Sequence, residues 1–188
     1  MTREEFIEVL EGKGYYYRVE DGKVVVVDDR NIDLDSLKTI SSDVVFRSQN
    51  DVYLDFIKNI PPGLKFENGG SVYLDRLETI SPDVVFKNGY NVYLTSLESL
   101  PSGVEFKNMG NIHLKDLKKI SSGAIFNNGG DVILTFLENI PLGVYFENEG
   151  DVLLDSLIGY WTKDWKGNIE GIDSKRLLNF MINKGMFI

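Results

Sequence analysis

From residue 31 onward the apolar positions of this chain recur every twenty residues without slippage. The copies run 31–50, 51–70, 71–90, 91–110, 111–130 and 131–150, and a partial seventh extends from Asp151 to Leu157. With the positions of a copy numbered 1 to 20, position 4 is always Leu (Leu34 through Leu134) and position 16 always Phe (Phe46 through Phe146). Positions 2, 7, 10 and 14 are apolar in all six copies as well. Positions 2 and 4 lie two residues apart, as do 14 and 16, which is the period of a strand. Between them stand Gly-Gly, Asn-Gly and Pro-x-Gly stretches that favour turns. Each copy is therefore expected to hold two short strands and two or three bends, too closely spaced for a helix.

One such copy cannot bury its apolar side alone, but stacked copies can. A constant period implies one coil per copy, with equivalent residues directly above one another at roughly 4.8 Å in parallel sheets. The six apolar positions then form six inward ladders. Position 18 is Asn in five copies (Asn68, Asn88, Asn108, Asn128, Asn148) and Ser48 in the first. A stacked Asn at a tight bend can hydrogen-bond to its own copy and to a neighbouring one. Position 11 alternates Ser41, Pro61, Ser81, Pro101, Ser121, Pro141, which suggests duplication of a two-copy unit.

The flanks read differently. Thr2-Arg3-Glu4-Glu5 is a capping-box pattern followed by Phe6, Ile7, Val9 and Leu10, so a helix is expected to end at Gly12 or Gly14. Asp21-Gly22 between Tyr15–Val19 and Lys23–Val27 signals a hairpin. Beyond the repeats, Trp161 and Trp165 fall in a connecting loop, and Asp173 or Ser174 opens a helix carrying Leu177, Leu178, Phe180 and Met181. The expected architecture is mainly β: a parallel β-solenoid over 31–157 with one short strand per face. A helix and hairpin (1–30) and a loop and helix (158–188) cap it and shield unpaired strand edges.

The motif GG-x-V-x-L followed by L-x-x-[IL]-P-x-G-V-x-F resembles the short leucine-rich-type β-solenoid repeats of phage and bacterial proteins. Those read GG-x-L-x-L, a variable stretch, then L-P-x-x-L-x-V. The resemblance covers 31–157 and departs from standard leucine-rich repeats. Leu or Ile stands three residues after the L-x-L pair, where those have Asn. It implies a binding or scaffolding protein rather than an enzyme, including the version of a phage-type inhibitor of a host protein.

Charge and composition narrow the chemistry. There are 29 acidic against 20 basic residues, a net charge of −9 carried mainly by the repeats. Such a surface repels nucleic acid, which needs clustered Lys and Arg, and suits a protein partner, a basic one most naturally. The chain has no Cys, so disulfides and thiolate metal sites are excluded, and a reducing cytoplasm is the simplest location. Neither a membrane span nor an export signal is legible. His113 is the only histidine, which removes His-rich metal sites. Asp35, Asp55 and Asp75 share a column that could hold a cation, but Thr95 and Lys115 interrupt it. No cofactor motif is present, and no enzyme activity is expected.

Position 3 carries the clearest candidate surface: Asp33, Tyr53, Tyr73, Tyr93, His113, Ile133, Leu153. If positions 2 and 4 face inward, these face out as a flat stripe. Tyr gives large contact area at low entropic cost. Position 5 edges it with Asp55, Asp75 and Asp155, and position 1 with Asp51, Asn91 and Asp131. Phe56 and Phe136 at position 6 add outward apolar spots. The binding residues expected are Tyr53, Tyr73, Tyr93, His113, Asp55 and Asp75. Carboxylates beside the stripe would suit a partner offering Arg, or would imitate phosphates for a host nucleic-acid-binding enzyme, although Lys115, Lys118 and Lys119 break that series. The alternatives are a spacer or assembly component of a larger particle, and a glycan binder. The sequence leaves the oligomeric state and the partner's identity open.

Overall fold

A computed structural model describes residues 1–137, 140–141 and 143–153, and it is a parallel β-solenoid of about six turns of twenty residues. The turns are called coils 1 to 6 here, in the order of the six copies. Residues twenty apart pair throughout: Val52 with Val72, Tyr53 with Tyr73, Phe66 with Phe86, Phe106 with Phe126. One wall is a seven-stranded parallel sheet built from positions 2 and 3 of each coil and ending at Val152–Leu153. A second wall, built mainly from positions 15 and 16, belongs to an eight-stranded sheet.

The six inward ladders form one continuous core. Every residue at positions 2, 4, 7, 10, 14 and 16 is buried except Ile140, which is partly buried. The Phe column stacks face on face, with ring centroids 4.7–5.4 Å apart and planes within 10°. A turn between positions 4 and 7 brings both leucines inside; the Leu77 N–H donates to Leu74 O at 3.0 Å. Position 13 is left-handed in every coil, at Asp43, Gly63, Asp83, Gly103, Gly123 and Gly143. That conformation explains Gly in four of the six copies.

A third wall, absent from the expectation of two strands per copy, consists of two-residue strands at positions 9 and 10. Only position 10 is apolar, so there was no alternation to read. The Ser/Pro alternation at position 11 interrupts this wall. The Ser81 N–H donates to Ile60 O at 3.0 Å and the Ser121 N–H to Leu100 O at 2.8 Å. Pro61 and Pro101 have no N–H to offer to the coil before. The wall therefore breaks into two separate two-stranded sheets, Asn59–Ile60 with Thr79–Ile80 and Ser99–Leu100 with Lys119–Ile120.

The N-terminal cap is a helix, α1 (Arg3–Lys13), and a hairpin of β1 (Tyr17–Glu20) and β2 (Lys23–Val26). Thr2 and Glu5 form the capping box and Gly14 ends the helix with φ 67°. Asp21 and Gly22 both take positive φ, as a tight two-residue hairpin turn requires. The cap is tied to the repeat more closely than the boundary at residue 30 implied. β2 pairs in parallel with coil 1 at an offset of twenty, Val24 with Val44 and Val26 with Phe46, and so supplies one wall of a preceding coil. Phe6 and Leu10 of α1 close the core beneath it. The Tyr15 hydroxyl meets the free edge of the seven-stranded sheet, accepting from Asp33 N–H at 2.8 Å and lying 3.4 Å from Asp33 O as donor. Asp28, fully buried, accepts from Tyr16 N–H and from the Arg30 guanidinium, which reaches on to Gly14 O. The Arg30 bonds hold the Asp28 carboxyl well below the ordinary carboxylate range. The expected C-terminal cap at 158–188, with Trp161 and Trp165, lies outside the described residues.

Candidate functional site

The position-3 column follows from strand geometry. With positions 2 and 4 fully buried, the side chains between them must project from the wall. Tyr53, Tyr73, Tyr93 and His113 stack at centroid distances of 4.6, 4.8 and 4.5 Å with planes within 11°. The four rings span roughly 14 Å, three inter-strand spacings. Ile133 and Leu153 continue the line, and all six side chains are partly buried. Stacking at this spacing covers the ring faces, so the column offers its ring edges, which carry positive partial charge, and its hydroxyls. A guanidinium cannot lie over the inner rings.

The polar flanks have work within the fold. Strands of two residues leave the amides on either side without ladder partners. At position 1 each side chain accepts from the next coil's position-1 N–H: Asp51 from Ser71 at 2.7 Å, Asn91 from Asn111 at 2.8 Å, Asn111 from Asp131 at 2.8 Å. At position 5 the Asp35 carboxylate accepts from Asp55 N–H at 2.6 Å and Asp55 from Asp75 N–H at 2.9 Å, and Asp75 accepts from the Thr95 hydroxyl at 2.7 Å. Asp55 and Asp75, expected as binding residues, thus sit beside the stripe with an oxygen turned onto the neighbouring coil.

The site is electrostatically tuned by its packing. Burial, with a hydrogen bond donated to Asp51, pushes the Tyr53 hydroxyl up to about 12. Burial also raises Tyr73 and lowers His113, the latter helped by Lys115. Burial thus favours the neutral form of Tyr53, Tyr73 and His113. Phe56 and Phe136 are exposed at position 6, and the Arg76 guanidinium lies 4.2 Å from the Phe56 ring centroid. The Asn ladder at position 18 is structural. Asn88 donates to Gly70 O in the coil before and to Tyr90 O and Asn91 O beyond its own bend, and Asn108 and Asn128 repeat the pattern.

Recurrence alone concealed one feature. Positions 19 and 20 form a corner that is mostly Gly, from which Tyr90 (64% exposed) and Met109 (77% exposed) project in adjacent coils. Their signal in the sequence was departure from the repeat rather than agreement with it.

Elsewhere, an open depression on the third wall is lined by Met1, Ile40, Asn59, Ile60, Thr79 and Ile80 and has no charged side chain. Among the described residues, no group of three or more His, Asp or Glu could hold a metal, and no helix is long and apolar enough to cross a membrane. Comparisons with protein-family models, with curated proteins and with solved structures found no match to this chain.

Proposed function

We propose that the chain is a non-enzymatic protein-binding module whose solenoid wall presents the Tyr53–Tyr73–Tyr93–His113 stripe to a protein partner. The observation that carries this reading is the stack itself. Four aromatic rings, fixed at 4.5–4.8 Å by the coil spacing, form a preorganised surface with little rotamer freedom left to lose. Ile133 and Leu153 extend it with apolar area, and the hydroxyl ends give it polar contacts. The likeness of the repeat to phage and bacterial leucine-rich-type solenoids supports a binding or scaffolding role.

The exposed parts of the rings separate this reading from its rivals. Sugar stacking needs free ring faces, and here neighbouring rings cover them. Phosphate imitation needs carboxylates aimed outward at regular spacing, whereas Asp51 and Asp55 turn an oxygen onto backbone amides, those of Ser71 and Asp75. A basic partner would be met by the remaining carboxylate oxygens beside the stripe rather than by the rings.

The test replaces Tyr53, Tyr73 and Tyr93 with Ser in the full chain, and compares affinity capture by this variant and by wild type, with mass spectrometry. The variant should keep the far-ultraviolet dichroism of the parent and lose the captured protein. Undiminished capture by the triple variant would retire the stripe as the binding surface.

A further inference from the structure

The corner at positions 19 and 20 is packed tightly around its glycines, and Tyr90 and Met109 are the large apolar side chains placed there. At position 20 the ladder oxygen from position 1 of the same coil lies where a Cβ would go. A Cβ on Gly150 would come 2.5 Å from Asp131 Oδ1, and Gly70, Gly110 and Gly130 are crowded in the same way by Asp51, Asn91 and Asn111. Where position 20 is Gly, the following position-1 amide makes a short bond to that oxygen, 2.7–2.8 Å. The residue before Asn91 is Tyr90, and there the acceptor is the short Ser71 hydroxyl at 3.3 Å. Asn50, the other non-glycine at this position among the described coils, precedes a bond of 3.3 Å too.

The glycines of position 19 are crowded as well. A Cβ on Gly69 would come 2.5 Å from Gln49 O, and Gly89 and Gly129 are equally tight against the coil before. The N–H of Gly69, Gly89 and Gly129 reaches the preceding coil at 2.8–3.0 Å and that of Glu149 at 2.9 Å, and Met109 has the longest of these bonds at 3.2 Å. Two large apolar side chains thus occupy positions at which the coil stack fits best around Gly, and both point into solvent. The Gly110 N–H donates to Tyr90 O, which makes Met109 and Tyr90 diagonal neighbours on the corner.

The charge around them differs from that of the molecule as a whole. Lys87 and Lys107 are exposed beside the corner; Lys87 makes no ion pair among the described residues, and Lys107 pairs with Glu105 of its own coil. On the stripe side stand Asn91 and Asn111, neutral members of a column that elsewhere holds Asp51, Asp131 and Asp151. An apolar knob flanked by Lys87 and by the Lys107–Glu105 pair, on a chain of net charge −9, selects by charge complementarity. We infer that Tyr90 and Met109 are the anchor of the partner interface, and that they insert into an apolar pocket on a protein whose rim carries carboxylates. Tyr and Met are both enriched at interface centres, and truncating such an anchor costs about thirty-fold or more in affinity. The inference rests on the protein-binding reading above and gives it an anchor and a partner chemistry. It places the partner's acidic rim at Lys87 and Lys107, not at the aspartates flanking the stripe.

The experiment places the photo-crosslinking residue p-benzoylphenylalanine at Met109, and separately at Tyr73, in the full chain. Each protein is irradiated in extract of the cells that make it, and the adducts are mapped by mass spectrometry. Expected from position 109 is one protein adduct at an apolar segment containing Asp or Glu. It should be lost with Tyr90→Ser and weakened about ten-fold or more by Lys87→Glu with Lys107→Glu. An adduct at a basic segment, an adduct to a second copy of this chain, or one indifferent to Tyr90→Ser overturns the inference. Adducts from position 73 alone overturn the anchor and leave the stripe standing; adducts from neither position remove both readings. A partner-free check uses Tyr90→Gly with Ser71→Asn, which restores the usual pair. This variant should melt no lower than wild type, and a fall of several degrees would make Tyr90 a structural residue and end the proposal.

Discussion

Replacing Asn88 by Ala removes one rung from the position-18 ladder, and its cost can be worked out bond by bond. The Asn88 amide has two hydrogens, shared among Gly70 O at 3.2 Å, Tyr90 O at 2.9 Å and Asn91 O at 3.2 Å. Each of these carbonyls keeps a second, backbone donor: Tyr90 N–H, Gly110 N–H and Val72 N–H respectively. None is orphaned, so the loss is two net hydrogen bonds of about 1 kcal/mol each, plus a small cavity. Against this, Asn88 Oδ1 is buried and accepts no hydrogen bond, and its removal returns part of the cost. The sum is about 2 kcal/mol, or a fall of roughly 4–8 °C in melting temperature for a protein of this size. Among the described residues Asn148 makes one such bond, to Gly150 O at 2.6 Å, and it is only partly buried, so Asn148→Ala should cost about 1 kcal/mol or less. Asn88→Ser should fall between parent and Ala, since Ser48 already fills this position in coil 1 and donates to Asn50 O. The assay is urea denaturation of the four proteins, with midpoints compared at constant slope. If Asn88→Ala costs no more than Asn148→Ala, the ladder does not hold the bends together and the reasoning fails.

Two further predictions concern position 13 and pH. Gly63 has φ 80° and a Cβ there would come 2.5 Å from Asp43 Oδ1, whereas Gly123, at φ 84°, has no neighbour nearer than 3.9 Å. Gly63→Ala should therefore destabilise more than Gly123→Ala, and adding Asp43→Gly should recover the difference; equal losses would show that backbone conformation alone sets the cost. Tyr53 has a folded pKa of about 12, above its unfolded value of 10.0, so its contribution is intact below pH 10 and lost as pH rises toward 12. Asp28 is depressed below its unfolded 3.8, so its contribution is intact above that pH and lost as pH falls through the folded value. In melting curves against pH, Tyr53→Phe should flatten the alkaline limb and Asp28→Asn the acid limb; unchanged limbs would contradict both assignments.

The architecture was legible because its signal is strictly periodic. Six apolar positions in six copies leave almost no other way to bury Leu74, Phe86 and their equivalents. The orientation of the Tyr column follows from the same alternation. What stayed hidden lacked repetition or needed strand lengths to be seen. The third wall carries one apolar residue per strand. β2 matches coil 1 in register, but the other ladders of a full copy are missing around it. The charge of Asp55 and Asp75 is visible in the sequence, while the Asp75 amide that Asp55 accepts from and the Thr95 hydroxyl that Asp75 accepts from become apparent only once the strands prove to be two residues long. Tyr90 and Met109 carry no periodic signal, because each stands alone at a position where Gly recurs.

The most direct measurement of the stacking itself uses the absence of native Cys. Lys58 and Glu78 occupy position 8 of successive coils, with Nζ and Oε1 2.6 Å apart, and Glu98 lies one coil further on. Adjacent strands are spaced within the Cα range a disulfide tolerates; strands two coils apart, at roughly 9.6 Å, are not. Under mild oxidation Lys58→Cys with Glu78→Cys should form an intramolecular disulfide, and Lys58→Cys with Glu98→Cys should keep both thiols free to alkylation. Free thiols in the first pair, or equal bridging in both, would contradict the twenty-residue coil on which the stripe and its corner depend.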